Sequence, residues 1–135
     1  MDTVQKFAPT VGRVFLALIF ILAGLGKIPA PEGTIGYMEA FGVPGFLFWP
    51  TVAVEVIGGL FLLVGFQTRW AAAALGAFTL IAALIFHNNF ADQMEMTAFL
   101  KNLAITGGML YVIAFGAGAF SVDGRKPKAT LATQG

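Results

Sequence analysis

Hydrophobic positions fall in four long runs, about 11–28, 46–65, 70–86 and 102–120, each bounded by charged, Pro or Asn residues. Each run approaches the ~20 residues that a helix needs to cross a hydrocarbon core of ~30 Å. Unbroken runs without period-two alternation disfavour a membrane barrel. The pattern predicts an all-α polytopic membrane protein, a four-transmembrane-helix up-down bundle, built as one domain over residues 1–135. Lys6 and Arg13 ahead of an apolar stretch containing Ala23 and Gly24 also fit a leader peptide. A patterned polar face on this run, and the three spans that cleavage would leave, favour a retained helix.

The connections are uneven. In PAPEGTIGYMEAFGVP, Thr34 is a candidate cap for a short helix with Ile35, Met38 and Phe41 on one side, lying on the interface or plugging the bundle's end. HNNFADQMEMTAF reads as an acidic loop in which Met94 and Met96 suit interfacial packing better than a copper site. From Asp123 the chain reads as a short disordered tail carrying Arg125, Lys126 and Lys128. Lys6, Arg13, Arg69, Arg125, Lys126 and Lys128 fall on one side of the four spans, and Lys27 and Lys101 on the other. That asymmetry predicts both termini in the cytoplasm of an inner membrane.

Composition narrows the chemistry. Of 135 residues, 58% are hydrophobic and 11% charged, against about 25% charged in soluble domains, which excludes a water-soluble fold. A formal charge of +1 without a basic block makes nucleic acid an unsuitable partner. With no cysteine, disulfides, thiolate zinc, iron-sulfur ligation and a dithiol shuttle are excluded. One histidine supplies neither a bis-histidine haem nor a metal cage. No metal site and no intrinsic cofactor are expected, so redox chemistry here would be borrowed.

Polar residues inside the spans are the candidates for function. Nine helical steps of ~1.5 Å from residue 46 put Glu55 ~14 Å below the end of its span, near the midplane, where an ionisable group needs a reason. Thr51, Val52, Gly58, Gly59 and Leu62 share its face, and Val54, Ile57, Phe61 and Val64 form the opposite stripe. Helical spacing also aligns Arg13, Ala17, Phe20, Gly24 and Lys27 on the first span, and Arg69, Ala73, Gly76, Leu80, Ala83 and His87 on the third. Asn102 and Thr106 extend the seam to the fourth. Grouped by depth, Lys27, His87, Asn88, Lys101 and Asn102 predict an outer polar rim above Glu55, with Arg13 and Arg69 at the inner rim. Structural roles account for the same residues: a carboxyl that fixes register, lysines that snorkel, an Asn that ends a helix. For Glu55, Arg13 is the favoured partner and Lys27 a close second.

GRVFLALIFILAGLGKI, a loop closing GVP, VEVIGGLFLLVG, the turn TRWAA, HNNF and FLKNLAITGGMLYV, in this order across four spans, resemble the DoxX family of small inner-membrane proteins. The resemblance extends over nearly the whole chain. By motif it places Gly12, Arg13, Gly24, Lys27, Glu55, Gly58, Gly59, Arg69, His87, Lys101 and Asn102 at family positions. It implies a membrane component linked to quinone or redox-stress metabolism, since members are named after subunits associated with terminal quinol oxidase and thiosulfate:quinone oxidoreductase systems. It does not imply a demonstrated reaction, and no residue is assigned as catalytic. The expected function is an accessory subunit that binds a lipophilic molecule, with quinone a candidate, or docks a redox-protein partner. Glu55, Lys27, His87, Lys101 and Asn102 are the ligand candidates. The alternatives are a small transport or permeation component, with Glu55 as a midplane proton or cation site, and a purely structural assembly protein, with Gly24, Gly58 and Gly59 serving helix packing or homo-oligomer contacts.

Overall fold

The computed structural model describes residues 3–125. Five α-helices run in the order α1 (Thr3–Lys27), α2 (Pro31–Ala40), α3 (Phe48–Val64), α4 (Thr68–Phe86) and α5 (Gln93–Phe115), with 3-10 turns at Gly45–Leu47 and Asp123–Arg125. Four are long and apolar enough to cross a membrane: α1, α3 with its leading turn, α4 and α5. The protein is an all-α, multi-pass membrane protein, and α2 is the helix too short to span. The end of the bundle that carries α2 is termed the outer end below.

The helices overrun the hydropathy boundaries. α1 starts eight residues before the apolar run, because backbone bonding continues through the polar turns that hold Lys6, whose ammonium lies 5.9 and 5.8 Å from the Phe7 and Phe120 ring centres. α5 starts nine residues earlier than position 102 and ends five before position 120. The supposed acidic loop is thus mostly helix. Asp92 accepts from the Met94 amide at 2.9 Å as N-cap, and Glu95 occupies the third helical position, the sequence spacing of a capping box. Thr34 is not a cap: Ala30 precedes the helix and Pro31 opens it, its missing amide costing nothing there. Met38 is buried with Ile35 beside it, against Phe48 and Val52, as the one-sided pattern predicts. Phe41, just past the helix, meets the Tyr37 and Phe86 rings.

α1 packs along α3 and α4 along α5, α3 joins α4 near their common turn, and α1 meets α5 over a short stretch where Gly108 admits Leu16. Arg13, Ala17, Phe20 and Gly24 are the buried face of α1, and Phe48, Val52, Glu55, Gly59 and Leu62 that of α3. The two stripes interlock antiparallel. A Cβ on Gly24 would sit 2.6 Å from Val56 Cγ2 and 3.1 Å from Glu55 Cβ, and one on Gly59 would sit 2.7 Å from Ile21 Cγ1 and 3.4 Å from the Ala17 carbonyl oxygen. Gly58 instead faces Leu75 on α4, so the adjacent glycines serve two interfaces. Gly59→Ala should therefore lower stability by about 1–2 kcal/mol, as overpacking against a fixed backbone does, measured as the thermal midpoint in mild detergent. A midpoint equal to that of the parent would show that α1 and α3 part freely.

Two predicted placements are corrected. The buried face of α4 is Thr68, Ala71, Ala72, Leu75, Gly76, Thr79 and Ala83, while Arg69 is exposed and Ala73 and Leu80 only half buried. The seam is rotated by about one residue, because packing to α3 and α5 on two sides selects a broader arc than a single stripe. The segment from position 121 is also ordered as far as 125. Gly116 and Gly118 take positive φ (79° and 88°) and turn the chain back over the α3–α4 corner. There the Val122 and Asp123 amides donate to Val64 and Gly65 at 2.9 and 2.8 Å. The Asp123 carboxylate accepts from the Gln67 and Thr68 amides at 3.0 and 2.8 Å, capping α4 from across the sequence. Lys126 and Lys128 lie outside the described residues.

Candidate ligand-binding site

The outer half of the bundle encloses a half-open cavity of about 470 Å³, within the ~300–1,000 Å³ typical of small-molecule sites. Its walls are apolar: Ile19, Phe20 and Ala23 of α1, Phe78, Ala82 and Ile85 of α4, Ile105 of α5. Thr34, Tyr37 and Met38 of α2 line its roof. α1 and α5 touch where Leu16 approaches Gly108, and outward of that contact the residues of both helices line the cavity. The site is therefore a wedge between spans.

All five ligand candidates named from the sequence, Lys27, Glu55, His87, Lys101 and Asn102, line this one cavity. Their arrangement differs from a simple outer rim. Lys101 lies in the third turn of α5, exposed along its length, and Asn102 lies deeper still, buried, with its amide 3.4 Å from the Thr79 carbonyl on α4. Both moved inward because α5 begins nine residues early. His87 ends α4 and bonds Glu95 of α5 through Nδ1 at 3.2 Å, fastening the short α4–α5 connection at the cavity's edge. Asn88 bonds back to the Leu84 carbonyl and ends α4, away from the cavity.

Glu55 pairs with Lys27, Nζ to Oε1 at 2.6 Å, and not with Arg13. The reason is the direction of the side chains. Every Cα–Cβ bond of a helix tilts toward its N-terminus. α1 and α3 are antiparallel, so Lys27 in the last turn of α1 folds down the bundle, while Glu55 leans up toward the outer end. Lys27 accordingly runs back past the Ala23 carbonyl, 3.5 Å away, instead of snorkelling outward. Arg13, on the same helix as Lys27, leans the same way, but from below Glu55 this carries it away from the carboxylate to the inner end, where its guanidinium donates to the carbonyls of Ala117, Phe120 (2.9 Å) and Leu63 (3.4 Å). Arg69 also stays at the inner end, outside this cavity.

Residues that the sequence reading passed over also line the cavity. Thr51, one turn before Glu55, was placed on its face but given no role, and Thr79 was missed because its hydroxyl bonds the Leu75 carbonyl at 2.7 Å and reads as a neutral helix position. Tyr37 is the third: its ring stacks on Phe86 at 5.3 Å, and burial, then the charge of Glu95, push its phenol above the ordinary tyrosine value, keeping it a neutral donor. One turn of spacing from Thr34 on α2 is the only sequence signal for it.

The DoxX family model matches residues 8–88, which carry α1 to α4 and with them Lys27, Glu55 and His87. The chain belongs to the DoxX family. Beyond the span of that model, the relatives extend the likeness through α5. The chain is 43% identical over 123 residues to the inner membrane protein YqjF of Escherichia coli, covering 91% of this chain and 95% of that one. It is 34% identical over 122 residues to the inner membrane protein YphA of the same organism, covering 85% and 87%. A Bacillus subtilis protein named "Putative oxidoreductase CatD" is 40% identical over 73 residues, 54% of each chain. No solved structure matches. This DoxX-family chain is thus a multi-pass inner-membrane protein with relatives that share most of its length.

Proposed function

We propose that this DoxX-family protein is an accessory membrane subunit that holds a lipophilic molecule with a hydrogen-bonding head, a quinone-type ring, in the outer cavity. The observation that carries the reading is the convergence of Lys27, Glu55, Thr79, Lys101 and Asn102 on an apolar chamber wedged between α1 and α5. A chamber with greasy walls and a few converging polar groups suits a ring whose carbonyl oxygens accept hydrogen bonds and whose tail stays in lipid. Lys101 and the Asn102 amide supply donors, and the Lys27–Glu55 pair fixes the inner boundary. No side chain is assigned a bond-making role, so any electron transfer belongs to a partner. The oxidoreductase name of the Bacillus subtilis relative supports the link to redox metabolism. The Lys and Arg distribution supports cytoplasmic termini, with the cavity toward the opposite face.

The full chain, purified in mild detergent and extracted into organic solvent, should release a quinone on mass spectrometry, close to one per protein. Asn102→Leu should retain several-fold less at unchanged thermal stability. An extract holding only phospholipid, with no uptake of added short-chain quinone, would sink the reading, and proton or cation flux in proteoliposomes would then favour a permeation component.

A further inference from the structure

At the inner end, opposite the proposed quinone chamber, a second concavity of about 390 Å³ lies between the start of α4, the end of α5 and the returning chain. Arg69 stands in it. Its side chain is exposed and makes no hydrogen bond or ion pair within the described residues, unlike Arg13, which spends its donors on carbonyls. The guanidinium lies against Gly116, where a Cβ would come within 3.3 Å of Nη2 and where φ is +79°. A glycine there lets the group rest over the backbone of the α5 terminus. The amides of Arg69 and Trp70 belong to the first turn of α4, which no intrahelical carbonyl reaches, and the Thr68 hydroxyl, buried in the same wall, has no partner among the described residues.

One carboxylate, Asp123, shares the concavity, and its two oxygens already accept from the Gln67 and Thr68 amides. Arg69 stands against it in the hollow, and the buried Arg13 behind the wall also acts on the Asp123 charge, so the guanidinium groups outnumber the carboxylate among the described residues. The rim is apolar and faces outward: Trp70 and Phe115 are each 77% exposed, on the helices that meet lipid. A cationic hollow at a span's end, bordered by an interfacial tryptophan, is the form of a headgroup site. We infer that this hollow binds the phosphodiester of an anionic phospholipid, phosphatidylglycerol being the simplest, with Arg69 on the phosphate and the acyl chains along Trp70 and Phe115. A soluble phosphate would leave those two rings unused, which is why the bilayer is the source.

The test uses Trp70 as its reporter. The chain has two tryptophans, and Trp49 opens α3 at the other end of the bundle, so Trp49→Phe leaves Trp70 alone. In vesicles of phosphatidylcholine containing a minority of brominated lipid, brominated phosphatidylglycerol should quench Trp70 as strongly as roughly fivefold more brominated phosphatidylcholine, the preference that one basic side chain confers at an anionic surface. Arg69→Gln should abolish the preference, and Arg69→Lys should keep part of it. Equal quenching by the two lipids in the Trp49→Phe protein overturns the inference without any further variant. So does a preference that survives Arg69→Gln, or one that millimolar inorganic phosphate removes.

Discussion

Replacing Lys27 with Met is expected to destabilise the protein by about 3 kcal/mol, the cost of stranding one partner of a buried ion pair. The Glu55 side chain is only 7% exposed and has no other cation within bonding distance among the described residues, so it must either carry its charge unpaired or take up a proton. Glu55→Leu should cost less. Lys27 is 24% exposed and sits in the last turn of α1, so once freed it can swing out to the interface. In a Glu55→Gln background, Lys27→Met should cost no more than about 1 kcal/mol, since a neutral amide needs no counter-ion. A double-mutant cycle on thermal or denaturant unfolding in detergent measures the difference. Additive losses would mean that the pair contributes nothing to stability.

Arg13→Leu should also cost about 3 kcal/mol, by a different route: it removes charge-assisted donors from three carbonyls and leaves those of Ala117 and Phe120 facing an apolar side chain. These bonds tie the returning chain to α1, and Asp123 on that chain caps α4. The loss should appear both as a lower thermal midpoint and as faster proteolysis between positions 116 and 125. Arg13→Lys should recover only part, because a single ammonium cannot fork to acceptors on two segments. Arg13 and Glu55 act at opposite ends, so Arg13→Leu and Glu55→Gln should add. A coupling above about 0.5 kcal/mol would contradict the separation of the two groups.

Much of the packing was legible from helical spacing. The buried faces of α1 and α3 and the exposed Val54, Ile57, Phe61 and Val64 stripe follow from a period of 3.6 applied to apolar runs, and grouping polar residues by depth put Lys27, His87, Lys101 and Asn102 above Glu55, where they line the outer cavity among many apolar neighbours. Helical spacing puts Arg13 and Lys27 on one face of α1 and does not choose between them as the partner of Glu55; the tilt of the side chains does. With both side chains tilted toward each other, Lys27 is the near partner, a deduction open to the sequence once α1 and α3 are taken as antiparallel. The early start of α5 was signalled too, by Asp92 and Glu95 in cap spacing, but hydropathy measures where lipid begins and not where helical hydrogen bonding does.

The sequence by itself determined that this is a four-span membrane bundle of the DoxX family, which faces of α1 and α3 turn inward, and which polar residues gather at the outer half. These properties are local: a 3.6-residue period and an apolar run long enough to cross lipid are read from neighbours in the chain. The tertiary structure alone decided that Asp123 caps α4, that Arg13 serves carbonyls of the returning chain, that Gly58 and Gly59 face different helices, and that α1 and α5 part to leave a chamber under α2. Each depends on groups that lie far apart in sequence, with Thr68 and Asp123 separated by 55 positions and Arg13 and Phe120 by 107. No local period encodes such a meeting, because it is set by how four helices and one turn of chain fill space together.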